Sequence, residues 1–145
     1  MIEITGLKGE FEVFLYDERK TLKAYRKVKN LTVDAGFHAV CDAMGEGNVS
    51  PFDYCAIGTG TTAPAAGDTI LESETARVAG GYTKTADTVW KNDATFGAGV
   101  GTGAISEAGL LNNTSGGTLL CRQTFAVINK AAGDTLVVTW QYTLS

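Results

Sequence analysis

The segment that most constrains the fold is the run from Thr135 to Leu144. Leu136, Val138, Trp140, Tyr142 and Leu144 occupy one parity, and Val137, Thr139, Gln141 and Thr143 the other. Successive side chains on a strand point to opposite faces, so this run is an antiparallel strand with one large apolar face. A chain with such a strand must supply a second layer to cover it. The remaining residues are strand and turn material: 18 Gly, 19 Thr and only 2 Pro in 145 residues. Thr favours strands and Gly disfavours helix interiors. With 44% hydrophobic and 19% charged residues, the chain is not of the disordered type. Its length fits a single domain over residues 1–145.

The rest of the chain reads as further strands and one helix. Residues 9–30 predict a hairpin, with Phe11, Val13 and Leu15 on the apolar face and Asp17-Glu18-Arg19-Lys20 as the turn. Residues 33–44 predict a helix, its stripe formed by Phe37, Val40, Cys41 and Met44 at i, i+3, i+4 and i+7. Thr32 or Asp34 is the expected cap, and Gly45 the left-handed residue after its end. Tyr54 to Ile57 is a short buried strand, followed by a long Gly/Thr/Ala/Pro loop, Gly58 to Asp68. Residues 75–90, 93–99, 104–111 and 119–127 read as strands. The run Gly97, Gly99, Gly101, Gly103 is either a loop or a strand pressed against another backbone. Ala131-Ala132-Gly133-Asp134-Thr135 echoes Ala65-Ala66-Gly67-Asp68-Thr69, which we read as one turn used twice. Roughly seven or eight short strands with frequent turns predict a mainly β protein, an antiparallel β-sandwich of jelly-roll or Ig-like type. The helix near residues 33–44 would close one end.

Charge and chemistry exclude more than they select. Net charge is −4, with 12 basic and 16 acidic residues. An acidic chain is a poor general binder of nucleic acid. The basic cluster Arg19, Lys20, Lys23, Arg26, Lys27 and Lys29 reads as a protected strand edge. No apolar run is long enough for a membrane helix, and Met1-Ile2-Glu3-Ile4 does not begin a signal peptide, so a protein made in the cytoplasm is expected. Cys41, Cys55 and Cys121 are widely spaced, form no CxxC pair and read as buried free thiols. Gly58-Thr59-Gly60-Thr61-Thr62-Ala63 matches a dinucleotide fingerprint, but no helical pattern opens behind it, so no cofactor is expected. His38 is the only histidine and stands in no nucleophile motif. Glu72, Glu74 and Glu107 are carboxylates with nothing beyond their presence to make them catalytic. No metal-ligand spacing occurs. The expectation is a protein that is not an enzyme.

Two stretches carry a resemblance. The first is Tyr54-Cys55-Ala56-Ile57-Gly58-Thr59-Gly60-Thr61-Thr62-Ala63-Pro64-Ala65-Ala66-Gly67-Asp68-Thr69 with Leu71, Glu74 and Arg77. The second is Ile105-Ser106-Glu107-Ala108-Gly109-Leu110-Leu111-Asn112, then Gly117 to Arg122, Phe125 and the terminal strand. Together they resemble small structural proteins and tail-fibre segments of tailed bacteriophages. Asn30-Leu31 and Ala35-Gly36-Phe37 fit the same group, with Phe37 where Leu is usual.

The resemblance implies a virion component, most simply a head-decoration (cement) protein that ties neighbouring capsid subunits together, alternatively a tail fibre, baseplate or tail-tip part. Its partner is then the major capsid protein, or other tail proteins, with no nucleic acid and no membrane. A homo-oligomer, dimer or trimer, is expected. The candidate contact residues are Met1, Ile2, Ile4 and Leu7 of the N-terminal arm, and Gly58, Thr59, Gly60, Thr61, Thr62 and Pro64 of the loop. A tail-tip reading would instead expose Phe52, Tyr54, Tyr82 and Trp90 for stacking; the sequence favours Tyr54 and Trp90 as core.

Overall fold

In a computed structural model that describes residues 6–144, the chain is a β-sandwich of two five-stranded antiparallel sheets. Sheet A holds β1 (Leu7–Tyr16), β2 (Leu22–Lys29), β6 (Gly81–Ala86), β7 (Val89–Phe96) and β10 (Thr135–Leu144), in the order β2-β1-β10-β7-β6. Sheet B holds β3 (Leu31–Thr32), β4 (Tyr54–Gly58), β5 (Glu74–Ala79), β8 (Gly103–Leu111) and β9 (Leu119–Lys130), in the order β3-β9-β8-β4-β5. One helix, α1 (Asp34–Gly45), joins β3 to β4.

Sheet A follows the expected alternation. Phe11, Val13 and Leu15 of β1 lie buried beside Trp140, Val138 and Leu136 of β10, and Ala94 and Phe96 of β7 continue the same face. The inner face of sheet B answers with Cys55, Ile57, Ile105, Ala108, Leu110, Cys121 and Ile128. Phe11 and Trp140 pack against each other near the centre with their rings tilted and the centroids 4.3 Å apart. The β1–β2 turn is held by Asp17, whose Oδ1 accepts from the backbone N–H of Arg19 and Thr21, while Lys20 takes the left-handed conformation.

Sheet B has two buried faces. A register shift between Ile105 and Glu107 turns Glu107, Gly109 and Leu111 outward, yet all three are buried. Val33, Ala56, Leu71, Leu111 and Leu119 form a second, smaller core on that outer side. The segment from Thr59 to Ser73 and the start of α1 cover it. A strand buried on both faces tends towards a continuous apolar run, and Ala104 to Leu111 follows this except at Ser106 and Glu107, whose polar groups find hydrogen-bond partners.

Several expectations are corrected. The strand predicted over 75–90 is three elements. The chain leaves sheet B after β5, passes Gly80, forms β6 in sheet A and turns at Asp87-Thr88 into β7, which also takes in most of 93–99. Strand β9 runs on to Lys130, and the described residues form ten strands. The Gly97–Gly101 run is a loop, with Gly99 and Gly101 at positive φ, and Gly103 opens β8.

The helix spans the expected residues but buries a different face. Phe37 is 44% and Met44 82% exposed, Cys41 is exposed rather than buried, and the buried positions are Gly36 and Ala39. The reason is close approach: a Cβ on Gly36 would collide with the backbone of Leu120. The small residues therefore face sheet B, Val40 of the stripe packs partly buried against the core, and Phe37, Cys41 and Met44 face outward. Val33, not Thr32 or Asp34, stands at the N-cap without a side-chain cap bond, and Gly47, not Gly45, takes the left-handed conformation after the helix.

Candidate functional site

The most organised polar structure lies on the outer face of sheet B and is built on Glu107. Its carboxylate is fully buried and accepts four hydrogen bonds. Oε1 takes the backbone N–H of Gly60 (3.1 Å) and Ser73 (2.7 Å); Oε2 takes that of Glu72 (3.0 Å) and Nε of Arg122 (2.8 Å). A carboxylate offers about four lone-pair sites, so its capacity is full. Arg122, equally buried, donates on to Asp68 Oδ2 (3.0 Å) and the Thr62 carbonyl (3.0 Å). Burial alone would weaken this guanidinium's hold on its proton. The carboxylates of Glu107 and Asp68 outweigh that and leave its pKa raised.

The loop is threaded onto this pair. Gly58 and Gly60 are bare where the backbone passes closest: a Cβ on Gly60 would stand 2.6 Å from Glu107 Oε1, and one on Gly58 would strike the Ser73 carbonyl. Ser106 Oγ donates to the Gly60 carbonyl (2.7 Å). Glu72 accepts from the backbone of Thr61 (3.0 Å) and Thr62 (3.4 Å). Hydrogen bonds from Thr62, side chain first, and from the Thr61 backbone hold Glu72 below the usual carboxylate range. Leu71 is buried over Gly109, where a Cβ would come within 2.7 Å of its Cδ1. At the far end Arg77 pairs with Glu74 (2.6 Å) and donates to the carbonyls of Asn113 and Gly116, both at 2.9 Å.

The echoed turn is the same structure twice. Asp68 Oδ2 accepts from Ala65 N–H (3.0 Å), and Asp134 Oδ2 from Ala131 N–H (2.9 Å). Each aspartate then meets a cation, Arg122 for Asp68 and Lys23 for Asp134 (2.7 Å). Lys23, then the Ala131 N–H, holds Asp134 below its ordinary pKa. The second turn launches β10 directly; the first is followed by five more loop residues.

The residues singled out in the sequence separate into distinct places. Met1, Ile2 and Ile4 lie outside the described residues. Leu7 is half-buried at the start of β1; Gly58 and Gly60 are buried under Glu107; Thr59, Thr61 and Thr62 are exposed, and Pro64 half-buried. Between Gly58 and Gly67 the loop therefore presents its Thr side chains and neighbouring small residues outward, and Ile70 is exposed beyond it. His38 is exposed on α1, and Glu72 and Glu74 are exposed on the loop and β5. Glu107, sealed and saturated, has no lone pair for a substrate proton. Among the described residues no group of three or more His, Cys, Asp or Glu could hold a metal, and no helix is long and apolar enough to cross a membrane.

A second feature, an aromatic groove, lies at the rim between the sheets. Pro51, Phe52, Asp53, Tyr82, Trp90 and Asn92 line about 470 Å³ of open space. Trp90 is partly buried and stacks on Tyr142 (5.3 Å), Tyr54 and Phe52 are half-buried, and Tyr82 is 65% exposed. Of the four aromatics proposed for stacking, only Tyr82 is fully presented to solvent. Tyr82 and Phe52 become neighbours through the sheet switch at Gly80, which periodicity does not report.

No protein-family model matches this chain, and no curated protein matches it.

Proposed function

We propose that the chain is a structural component of a tailed-bacteriophage virion and, within it, a capsid decoration protein that ties neighbouring capsid subunits together. One observation supports this above the others. The two stretches that carry the resemblance, 54–77 and 105–122, are distant in sequence but interlock as one hydrogen-bonded unit. Gly60, Thr62 and Asp68 of the first are bound by Glu107 and Arg122 of the second, and Arg77 of the first grips the turn of the second. That the two strings meet as one structural unit is what supports the reading. A sandwich covered on three faces, with a loop pinned to it, is a rigid block. Such a block suits a protein that must resist strain transmitted through a shell.

In this reading the partner is the major capsid protein, and the protein works as an oligomer at a local symmetry axis of the virion. The acidic balance argues against a role on nucleic acid. A tail component is the second reading, favoured by the groove of Phe52, Tyr82 and Trp90, whose rings could stack on a receptor sugar.

Quantitative mass spectrometry of purified virions and of tail-less heads tests the proposal. Retention on heads at a copy number comparable to the major capsid protein is the expected result. A few copies lost with the tail would overturn the decoration reading in favour of the tail. Absence from both particles would overturn the virion reading altogether.

A further inference from the structure

The two long sides of the sandwich are finished differently. On one side β2 is the outer strand of sheet A and carries Lys23, Arg26, Lys27 and Lys29. Arg26 reaches across to sheet B and donates to the carbonyls of Ala126 (3.1 Å) and Val127 (3.2 Å), while Gln123 donates to the Lys29 carbonyl (2.9 Å). Cations and capped carbonyls make this side a poor template for another strand.

The other side is less protected, with one cation on its sheet A rim. Its rim strand in sheet A is β6, every residue of which is exposed. Gly81-Tyr82-Thr83-Lys84-Thr85-Ala86 contains one charge and no proline. Tyr82 and Lys84 stand opposite Asn92 and Trp90 in the ladder, so they share the face that borders the aromatic groove. Asp53 is the only charged residue lining that groove, and Lys84 the only one on β6. Neither enters an ion pair among the described residues.

We propose that β6 pairs with β6 of a second copy of this chain, antiparallel about a two-fold axis at Thr83, so that Lys84 of each protomer enters the other's groove beside Asp53 and Tyr82. The register follows from the faces. A two-fold axis through a continuous sheet pairs residues of like parity. An axis at Lys84 would set lysine against lysine, and one at Tyr82 would set Lys84 against Gly80. The axis at Thr83 alone sets Tyr82 against Lys84, which brings a cation over an aromatic ring and towards the groove's carboxylate. The contact is isologous and closes as a dimer. It extends sheet A across both protomers and covers the open groove. A six-residue strand buries less than a standard interface, so the isolated dimer is reversible. The pairing does not rest on the virion reading: it is a property of the purified chain, whereas that reading stands or falls on particle composition.

Sedimentation equilibrium from about 1 μM to about 1 mM spans the range in which a small interface associates reversibly. It should show reversible dimerisation of the whole chain. K84D and D53K should each raise the dissociation constant at least about tenfold by setting like charges together. An equimolar mixture of the two should associate again as a heterodimer, because both contacts then pair Asp with Lys. Circular dichroism confirms that each variant is folded. A chain monomeric throughout the range, a dimer indifferent to both reversals, or a mixture no tighter than its components overturns the proposal. Should Asp53→Lys fail to fold, the register is read by cross-linking instead. In a Cys41→Ser background, Thr83→Cys should oxidise to a disulfide-linked dimer at least about tenfold faster than Thr75→Cys on β5, since only the axis residue meets its own copy within disulfide reach. Equal rates overturn it.

Discussion

At the scale of single residues, the buried pair of Glu107 and Arg122 is the point on which most depends. Two charges removed from water are tolerated only because every lone pair and most donors find partners. Removing one member strands the other. Arg122→Ala should therefore destabilise the protein by about 3–5 kcal/mol, the usual cost of an uncompensated buried charge. Urea unfolding followed by circular dichroism would measure it. A cost below about 1 kcal/mol, the range of a solvent-exposed pair, would contradict the burial described here. The sequence displayed Glu107 and Arg122 inside the resembling strings but gave no sign that they touch, because they meet across a ladder rather than along the chain. Glycines were legible as turn makers. Their other use, at Gly58, Gly60 and Gly109, is to let backbone and side chains pass closely, and that depends on neighbours from elsewhere in the chain.

At the scale of elements, the helix and the long loop both show packing overriding pattern. The i, i+3, i+4, i+7 stripe of α1 locates the helix correctly, yet the helix is set down on Gly36 and Ala39. Gly36→Ala would ordinarily stabilise a helix interior by about 1 kcal/mol. Here the new methyl meets the backbone of Leu120, which cannot swing aside. The expected outcome is a net loss of about 1–3 kcal/mol, as for other overpacked sites, read as a lower melting temperature. The loop carries a prediction of the opposite kind. Unstructured loops exchange their amide hydrogens quickly. The N–H groups of Gly60, Glu72 and Ser73 donate to a sealed carboxylate, so they should exchange far more slowly than that of exposed Thr75 at the β5 rim, and Arg122→Ala should abolish the difference. Hydrogen exchange read by NMR resolves these amides individually. Equal rates in the parent protein would count against a pinned loop.

At the scale of the whole molecule, the three cysteines report on how the layers close. Cys41 lies on the outward face of α1, whereas Cys55 and Cys121 lie in the central core. Burial pushes the Cys55 thiol up to about 12, against the Trp140 indole N–H that donates to its sulfur (3.2 Å), and burial likewise pushes Cys121 up to about 11. Thiolate is the reactive form, so neither core cysteine should react near neutral pH while the sandwich is closed. A thiol reagent should label one cysteine rapidly, with Cys55 and Cys121 following together at the rate of global unfolding. Fast labelling of a second cysteine would mean that one sheet opens without the other.

The sequence by itself determined the class of fold and most of its parts. Alternation in β1 and β10 depends only on the two-residue period of a strand, and the Asp17 and Asp134 turns use hydrogen bonds between residues a few positions apart. Such information is local and can be read in order. The tertiary structure alone decided the rest: the switch of sheets at Gly80, the second buried face of β8, the outward placing of Phe37, Cys41 and Met44 on α1, and the union of Glu107 with Arg122, Asp68 and the loop. Each of these depends on contacts between segments fifteen or more residues apart. Its free energy comes from excluding water between surfaces that periodicity describes one at a time.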